Sequence, residues 1–62
     1  MNKNTELFIK TIDTLAGSQG FYSRLSQDIH DAINKDSSMI DKLNNGLPEF
    51  KDSLDVMMYL EQ

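Results

Sequence analysis

Apolar residues recur every three or four positions along most of the chain, which is the spacing of one face of an α-helix. The pattern predicts two longer helices, over about 5–16 and 19–33, and two shorter ones, over about 38–45 and 53–61. No segment alternates between apolar and polar residues for long enough to form a β-strand. We therefore expect an all-α fold, a small bundle of three to four helices in which the two short helices close over a long helical hairpin.

The same stripes predict which side chains form the core. On the two long helices the predicted core residues are Phe8, Ile12, Leu15, Ala16, Phe21, Tyr22, Leu25, Ile29, Ala32 and Ile33, with Ile9 flanking the stripe. In the second half of the chain they are Met39, Ile40, Leu43, Phe50, Leu54, Met57 and Met58, with Val56 and Leu60 on the flank. Phe21 is expected to anchor the hairpin, so its truncation would unfold a domain of this size.

Short polar residues mark the predicted helix ends. Asn4 or Thr5 can cap the first helix, because their side-chain oxygens can accept from free backbone N–H groups. Gly46 is expected to end the third helix. Asp52, with Asp55 three residues later, resembles an N-terminal capping pair for the last helix.

The segment Gly17–Arg24 joins the two long helices and has two interpretations. In the first it is a structural corner: Gly17 closes one helix in the left-handed conformation, and Ser18 caps the next. Gly20 would then let the two backbones approach closely. In the second it is the turn of a DNA-binding helix-turn-helix, because a small residue, a glycine and an apolar residue follow the spacing of such motifs at Ala16, Gly20 and Ile29. The side chains offered to DNA bases would be Ser23, Arg24 and Gln27.

Length and charge limit the choice of partners. The 62 residues form one domain, 1–62, with a net charge of −4, no cysteine and one arginine. Six acidic residues and two lysines lie in 36–62, so this half would attract a basic partner and repel nucleic-acid phosphates. The charge favours the structural corner and leaves acidic mimicry of DNA as an alternative. No apolar run is long enough to span a membrane, and we expect a cytoplasmic protein.

Candidate chemistry is sparse. His30, with Ser23, Ser26, Asp28 and Asp31, supplies the residue types of a hydrolase triad, but one helix cannot arrange them around a substrate pocket. One histidine and no cysteine also argue against a zinc site. We expect a protein that is not an enzyme and that uses no cofactor or metal, with His30 solvated on a polar helix face.

The segment SQGFYSRL, Ser18–Leu25, resembles a segment of small, uncharacterised helical proteins of Gram-positive bacteria and their phages and mobile elements, which read SQGFYGRL. The tail FKDSLDVMMYLE, Phe50–Glu61, is similar to the end of such proteins. This chain has Ser23 where those proteins have glycine. The resemblance implies a helical fold and a setting in a phage or mobile element, and it implies no activity.

Four residues are predicted to contact a partner: Tyr22, Arg24, Met58 and Tyr59. Tyrosine and arginine carry binding energy in many protein interfaces, and methionine adapts to irregular partners. Tyr59 is expected to be more exposed than Tyr22. The sequence thus favours a module that binds another protein, such as a regulator or accessory factor of a mobile element, with self-association as a further option. A nucleic-acid-linked role is the alternative.

Overall fold

The computed structural model describes residues 1–62 and contains four α-helices and no strand. The helices are α1 (Lys3–Ala16), α2 (Gly20–Lys35), α3 (Ser38–Gly46) and α4 (Ser53–Leu60). The predicted all-α bundle is confirmed. α1 is the central element, since it packs against each of the other three helices, whereas α4 contacts α1 alone.

Helix ends follow local polar chemistry, although the first cap differs from the prediction. The side chain of Asn2, rather than Asn4 or Thr5, accepts a hydrogen bond from the Thr5 N–H at 2.8 Å and starts α1 two residues earlier than expected. At α4, Asp52 Oδ1 accepts from the Asp55 N–H at 3.0 Å, so the predicted capping pair is confirmed. Asp55 Oδ2 in turn accepts from the Lys51 N–H at 2.7 Å.

The corner between α1 and α2 is built differently from the prediction. Gly17 is right-handed at φ −68°, and the N-cap of α2 is Gln19 rather than Ser18. A Cβ built on Gly20 would meet no atom within 4 Å, so no close approach of the two backbones requires glycine there. The three-residue connection runs from a right-handed Gly17 to an extended Gln19 and has no residue of positive φ, so the expected left-handed closure is absent.

The buried core is small and lies where α1 meets α4 and the segment before it. Its apolar members are Phe8, Ile9, Ile12, Phe50 and Val56. Phe8 and Phe50 stack with ring centroids 5.8 Å apart and planes 9° from parallel. The prediction that Phe50 is a core residue is confirmed, and it reaches the core from the segment between α3 and α4.

Asn4 holds this connection against α1. Its Nδ2 donates to the Pro48 carbonyl at 2.8 Å, and its Oδ1 accepts from the Phe50 N–H at 2.8 Å. Both backbone partners lie more than 40 residues away along the chain. One side chain therefore satisfies two groups of an irregular segment and places the Phe50 ring on Phe8.

Phe21 is not a core residue, and the expectation that it anchors the hairpin is wrong. It is 72% exposed and packs edge-on against Tyr22, with ring centroids 5.2 Å apart. The residues of α2 that pack on the core are Leu25, Ile29 and Ile33, all half-buried. Each four-residue step rotates the side chain by about 40° around a helix, so the three steps from Ile33 back to Phe21 carry it off the buried stripe.

Candidate functional site

The outward face of α4 carries two large apolar side chains that nothing in the chain covers. Leu54 and Met58 are each 60% exposed, whereas Val56 is fully buried. On a helix, successive residues are separated by about 100°, so Leu54 and Met58 lie on either side of the direction opposite Val56. We call this pair the α4 ridge.

The predicted register of α4 is therefore wrong. Leu54 and Met58 are expected in the core and Val56 on the flank, but Val56 and Leu60 face α1 and the core. Met57 is half-buried beside them. α4 is apolar on opposite faces, so its periodicity does not indicate which face is buried. The packing of Phe50 and Tyr59 against Phe8 decides it.

Two grooves flank the α4 ridge. The inner groove lies between α1 and α4, has a volume of about 240 Å³, and is lined by Leu7, Lys10, Thr11, Thr14, Leu15, Ser53 and Met57. The outer groove is more open, at about 520 Å³, and is lined by Pro48, Glu49, Phe50, Asp55, Met58, Tyr59 and Gln62. This surface, a ridge between two grooves, has the shape that packs against another helix, since helices associate by placing ridges into grooves.

Charge differs between the two grooves. Lys10 is the only charged residue that lines the inner groove, whereas Glu49 and Asp55 line the outer one. Two further charges stand at the ends of α4: Lys51 precedes the N-cap and Glu61 is the C-cap. The α4 surface therefore combines an apolar centre with a rim of both signs.

Tyr59 belongs to the core margin as much as to the surface. It is 39% exposed, and its ring packs edge-on against Phe8 at 6.3 Å and against Phe50 at 5.4 Å. The prediction that Tyr59 is more exposed than the half-buried Tyr22 is confirmed. Truncation of Tyr59 would nevertheless remove two aromatic contacts, so it is a poor probe of binding alone.

The four sequence-predicted partner residues fall on two separate surfaces. Met58 and Tyr59 lie on α4, whereas Tyr22 and the exposed Arg24 lie near the start of α2, and α2 does not contact α4. Sequence reasoning missed Leu54 as a surface residue. The signal that could have identified it is the composition of α4, SLDVMMYL, which has too many apolar positions for one buried face.

The residues proposed to read DNA are exposed along α2, but their helix is not basic. Ser23, Arg24 and Gln27 all face solvent. The other exposed ionic groups of α2 are Asp28, Asp31 and Lys35, so the helix carries two positive and two negative charges. This surface lacks the concentration of lysine and arginine with which proteins neutralise phosphates.

His30 of α2 contacts Asp13 of α1, which is not among the residues that the sequence suggested for a triad. Its Nε2 lies 3.1 Å from both carboxylate oxygens of Asp13 on α1. The Ser26 hydroxyl donates to Asp13 Oδ1 at 2.6 Å. A carboxylate accepts both bonds, so the serine proton points to Asp13 rather than to the imidazole, and the cluster joins α1 to α2 at the surface.

No three side chains of the histidine, aspartate or glutamate type gather into a group that could hold a metal ion. None of the four helices has both the length and the apolar character needed to cross a membrane. Comparisons with protein-family models, curated proteins and solved structures found no match for this chain.

Proposed function

We propose that this chain is a protein-binding module and that the α4 ridge is the centre of its docking surface. The observation that carries the proposal is that Leu54 and Met58 are each 60% exposed on a helix whose opposite face is buried. A helix that is apolar on all sides is normally buried on all sides. Among the helices α4 contacts only α1, and Phe50 packs against Tyr59 rather than against the ridge, so a partner is the natural cover for its outward face.

The chemistry of the surface favours an apolar segment with charged flanks as the occupant. Leu54 and Met58 supply an apolar centre, and methionine adapts to partners of irregular shape. Glu49 and Asp55 in the outer groove favour lysine or arginine at the edge of the bound segment.

The biological setting that we propose is a phage or mobile element, in which the module acts as a regulator or accessory factor. Support comes from the resemblance of Ser18–Leu25 and Phe50–Glu61 to small helical proteins of Gram-positive bacteria and their mobile elements. The second of these segments contains α4 and therefore the whole α4 ridge.

The test is capture of host proteins by the tagged chain, compared with a double variant Leu54→Ser, Met58→Ser. Each substitution removes an exposed apolar contact, and a residue central to an interface is worth about 1–2 kcal/mol or more. The double variant should retain at most about a tenth of any specifically bound protein.

Phe21→Ser is the matched control, because Phe21 is a large exposed apolar residue on a helix that does not touch α4. It should capture the same proteins as the unaltered chain. Circular dichroism confirms folding of each variant. An identical set of captured proteins with the double variant and the unaltered chain would refute the proposal.

A further inference from the structure

We infer that a second copy of this chain occupies the α4 surface, with the two α4 helices antiparallel across a two-fold axis. This inference rests on the proposed function of the α4 ridge and names its partner. A two-fold contact uses the same patch on both copies, so the patch must be complementary to itself. The shape of the α4 surface and the positions of Lys51 and Glu61 both meet this condition.

The shape of the α4 surface is complementary to itself because the α4 ridge lies between two grooves. Leu54 and Met58 are four residues apart, about 6 Å along the helix axis, and form one ridge of the kind that packs into a facing groove. An axis through the level of residue 56 places Leu54 of one copy opposite Met58 of the other. Each ridge then lies over the inner or outer groove of its partner.

Two of the charges at the ends of α4, Lys51 and Glu61, fit the same antiparallel register. Lys51 and Glu61 are equally far in sequence from residue 56, so the axis that pairs Leu54 with Met58 also pairs Lys51 with Glu61. The chain's one contact within 4 Å between a basic and an acidic side chain joins His30 and Asp13, so Lys51 and Glu61 have no ionic partner in their own chain.

The helix dipole adds to this argument. Lys51 stands beside the positive N-terminal end of its own α4, and Glu61 stands at the negative C-terminal end, so each has the sign that its own helix disfavours. In the antiparallel pair each charge lies beside the opposite end of the partner's helix, whose dipole favours it. The charges of Lys51 and Glu61 are thus placed unfavourably in the single chain and favourably in the two-fold pair.

The exposed area is also larger than a monomer of this mass should have. The chain exposes 4457 Å². A folded monomer of 7.1 kDa is expected to expose about 4,100 Å², an excess of about 350 Å². A contact one helix wide lies at the low end of interface sizes, and we therefore expect a dissociation constant of about 1–100 µM.

Sedimentation equilibrium of the whole chain, from about 5 µM to 1 mM, tests the inference. An ionic strength of about 0.15 M screens the repulsion between two chains of net charge −4. The apparent mass should rise from 7.1 kDa towards twice that value. Lys51→Glu alone or Glu61→Lys alone should weaken the dimer by about fivefold, because each turns two facing opposite charges into like charges. Both substitutions place a favourable sign at the helix end, so neither should lower the melting temperature of the dilute, monomeric chain.

Mixing the two single variants gives the sharpest readout. In a mixed dimer the two substituted side chains face each other with opposite signs on one side of the axis. The unsubstituted Lys51 and Glu61 face each other on the other side. The mixture should therefore associate more tightly than either variant alone.

Substitutions away from the charges complete the set. Phe21→Ser should associate like the unaltered chain, because Phe21 lies on a helix that does not touch α4. Leu54→Ser with Met58→Ser should weaken the dimer at least tenfold, since it removes the apolar centre of the contact on both copies.

Two results would overturn the inference. One is a chain that stays monomeric at 1 mM, and the other is a dimer that the ridge variants or the charge variants leave unchanged. A monomeric chain whose capture of host proteins still depends on Leu54 and Met58 would refute the self-pairing alone and would leave the proposed function in place.

Discussion

Replacement of Asn4 by alanine tests whether a single side chain holds the α3–α4 connection in place. Asn4 donates to the Pro48 carbonyl and accepts from the Phe50 N–H, both at 2.8 Å. A hydrogen bond contributes about 0.5–1.5 kcal/mol net, and a partly buried N–H left without an acceptor costs about 1–3 kcal/mol. Because one bond is exposed and the other only partly buried, the lower half of each range applies, and the two losses together come to about 1.5–3 kcal/mol.

A gain in helix propensity offsets part of this loss. Asn4 lies in the first turn of α1, where alanine is the better helix former by about 0.5 kcal/mol. The net destabilisation should therefore be about 2 kcal/mol. For a domain of 62 residues this corresponds to a fall in melting temperature of about 8–16 °C.

Urea unfolding followed by circular dichroism measures the effect, with Asn34→Ala as the matched control. Asn34 is exposed in α2 and its side chain makes no hydrogen bond, so this variant gains propensity and loses nothing. It should be as stable as the unaltered chain or slightly more stable. The reasoning about Asn4 is refuted if both variants unfold at the same urea concentration with the same dependence on urea.

Two further substitutions test single polar groups. Thr5→Val should raise the free energy of unfolding by about 1 kcal/mol, because the Thr5 hydroxyl is fully buried and has no hydrogen-bond partner. Thr11→Val should give no such gain in the same urea assay, since the Thr11 hydroxyl donates to the Leu7 carbonyl at 2.8 Å. Asp36→Asn should flatten the pH dependence of the melting temperature below about pH 4. The cause is that hydrogen bonds from Ser38 lower the pKa of Asp36 below its ordinary value of 3.8. The ionised Asp36 therefore stabilises the fold above that pH, and this stabilisation is lost as the pH falls through the folded-state pKa. An unchanged acid profile in Asp36→Asn, or a less stable Thr5→Val, would contradict these assignments.

The number, type and approximate bounds of the helices could be predicted because each depends on residues within about one turn of one another. The predicted bounds differ from the observed ones by two residues or fewer at every end. Errors in the caps are local: Asn2 competes with Asn4 and Thr5 for the same N-terminal amides and is better placed to accept from Thr5. The Asp52–Asp55 pair, with no such competitor, is predicted correctly.

The candidate site could be predicted only in part. Met58 is exposed, as a residue predicted to contact a partner should be, although the helical stripe also places it in the core. The same pattern assigns Leu54 to the core and gives Phe21 a buried anchoring role, and both of these residues are exposed. Both errors have one cause, because an apolar side chain at helical spacing satisfies the pattern whether or not another helix reaches it. The cluster of Asp13, Ser26 and His30 also depends on how α1 lies against α2, which no local spacing specifies.

The sequence by itself determined an acidic four-helix chain whose long hairpin turns near Gly17, since periodicity and polar helix ends act between near neighbours. Only the tertiary structure decided which face of α4 is buried. The hydrophobic effect is non-directional, so it favours burial of Val56 or of Leu54 and Met58 alike. The choice comes from contacts between distant parts of the chain: Asn4 fixes the backbone at Phe50, Phe50 stacks on Phe8, and Tyr59 closes on both rings. These contacts turn Val56 inward and leave the α4 ridge in solvent.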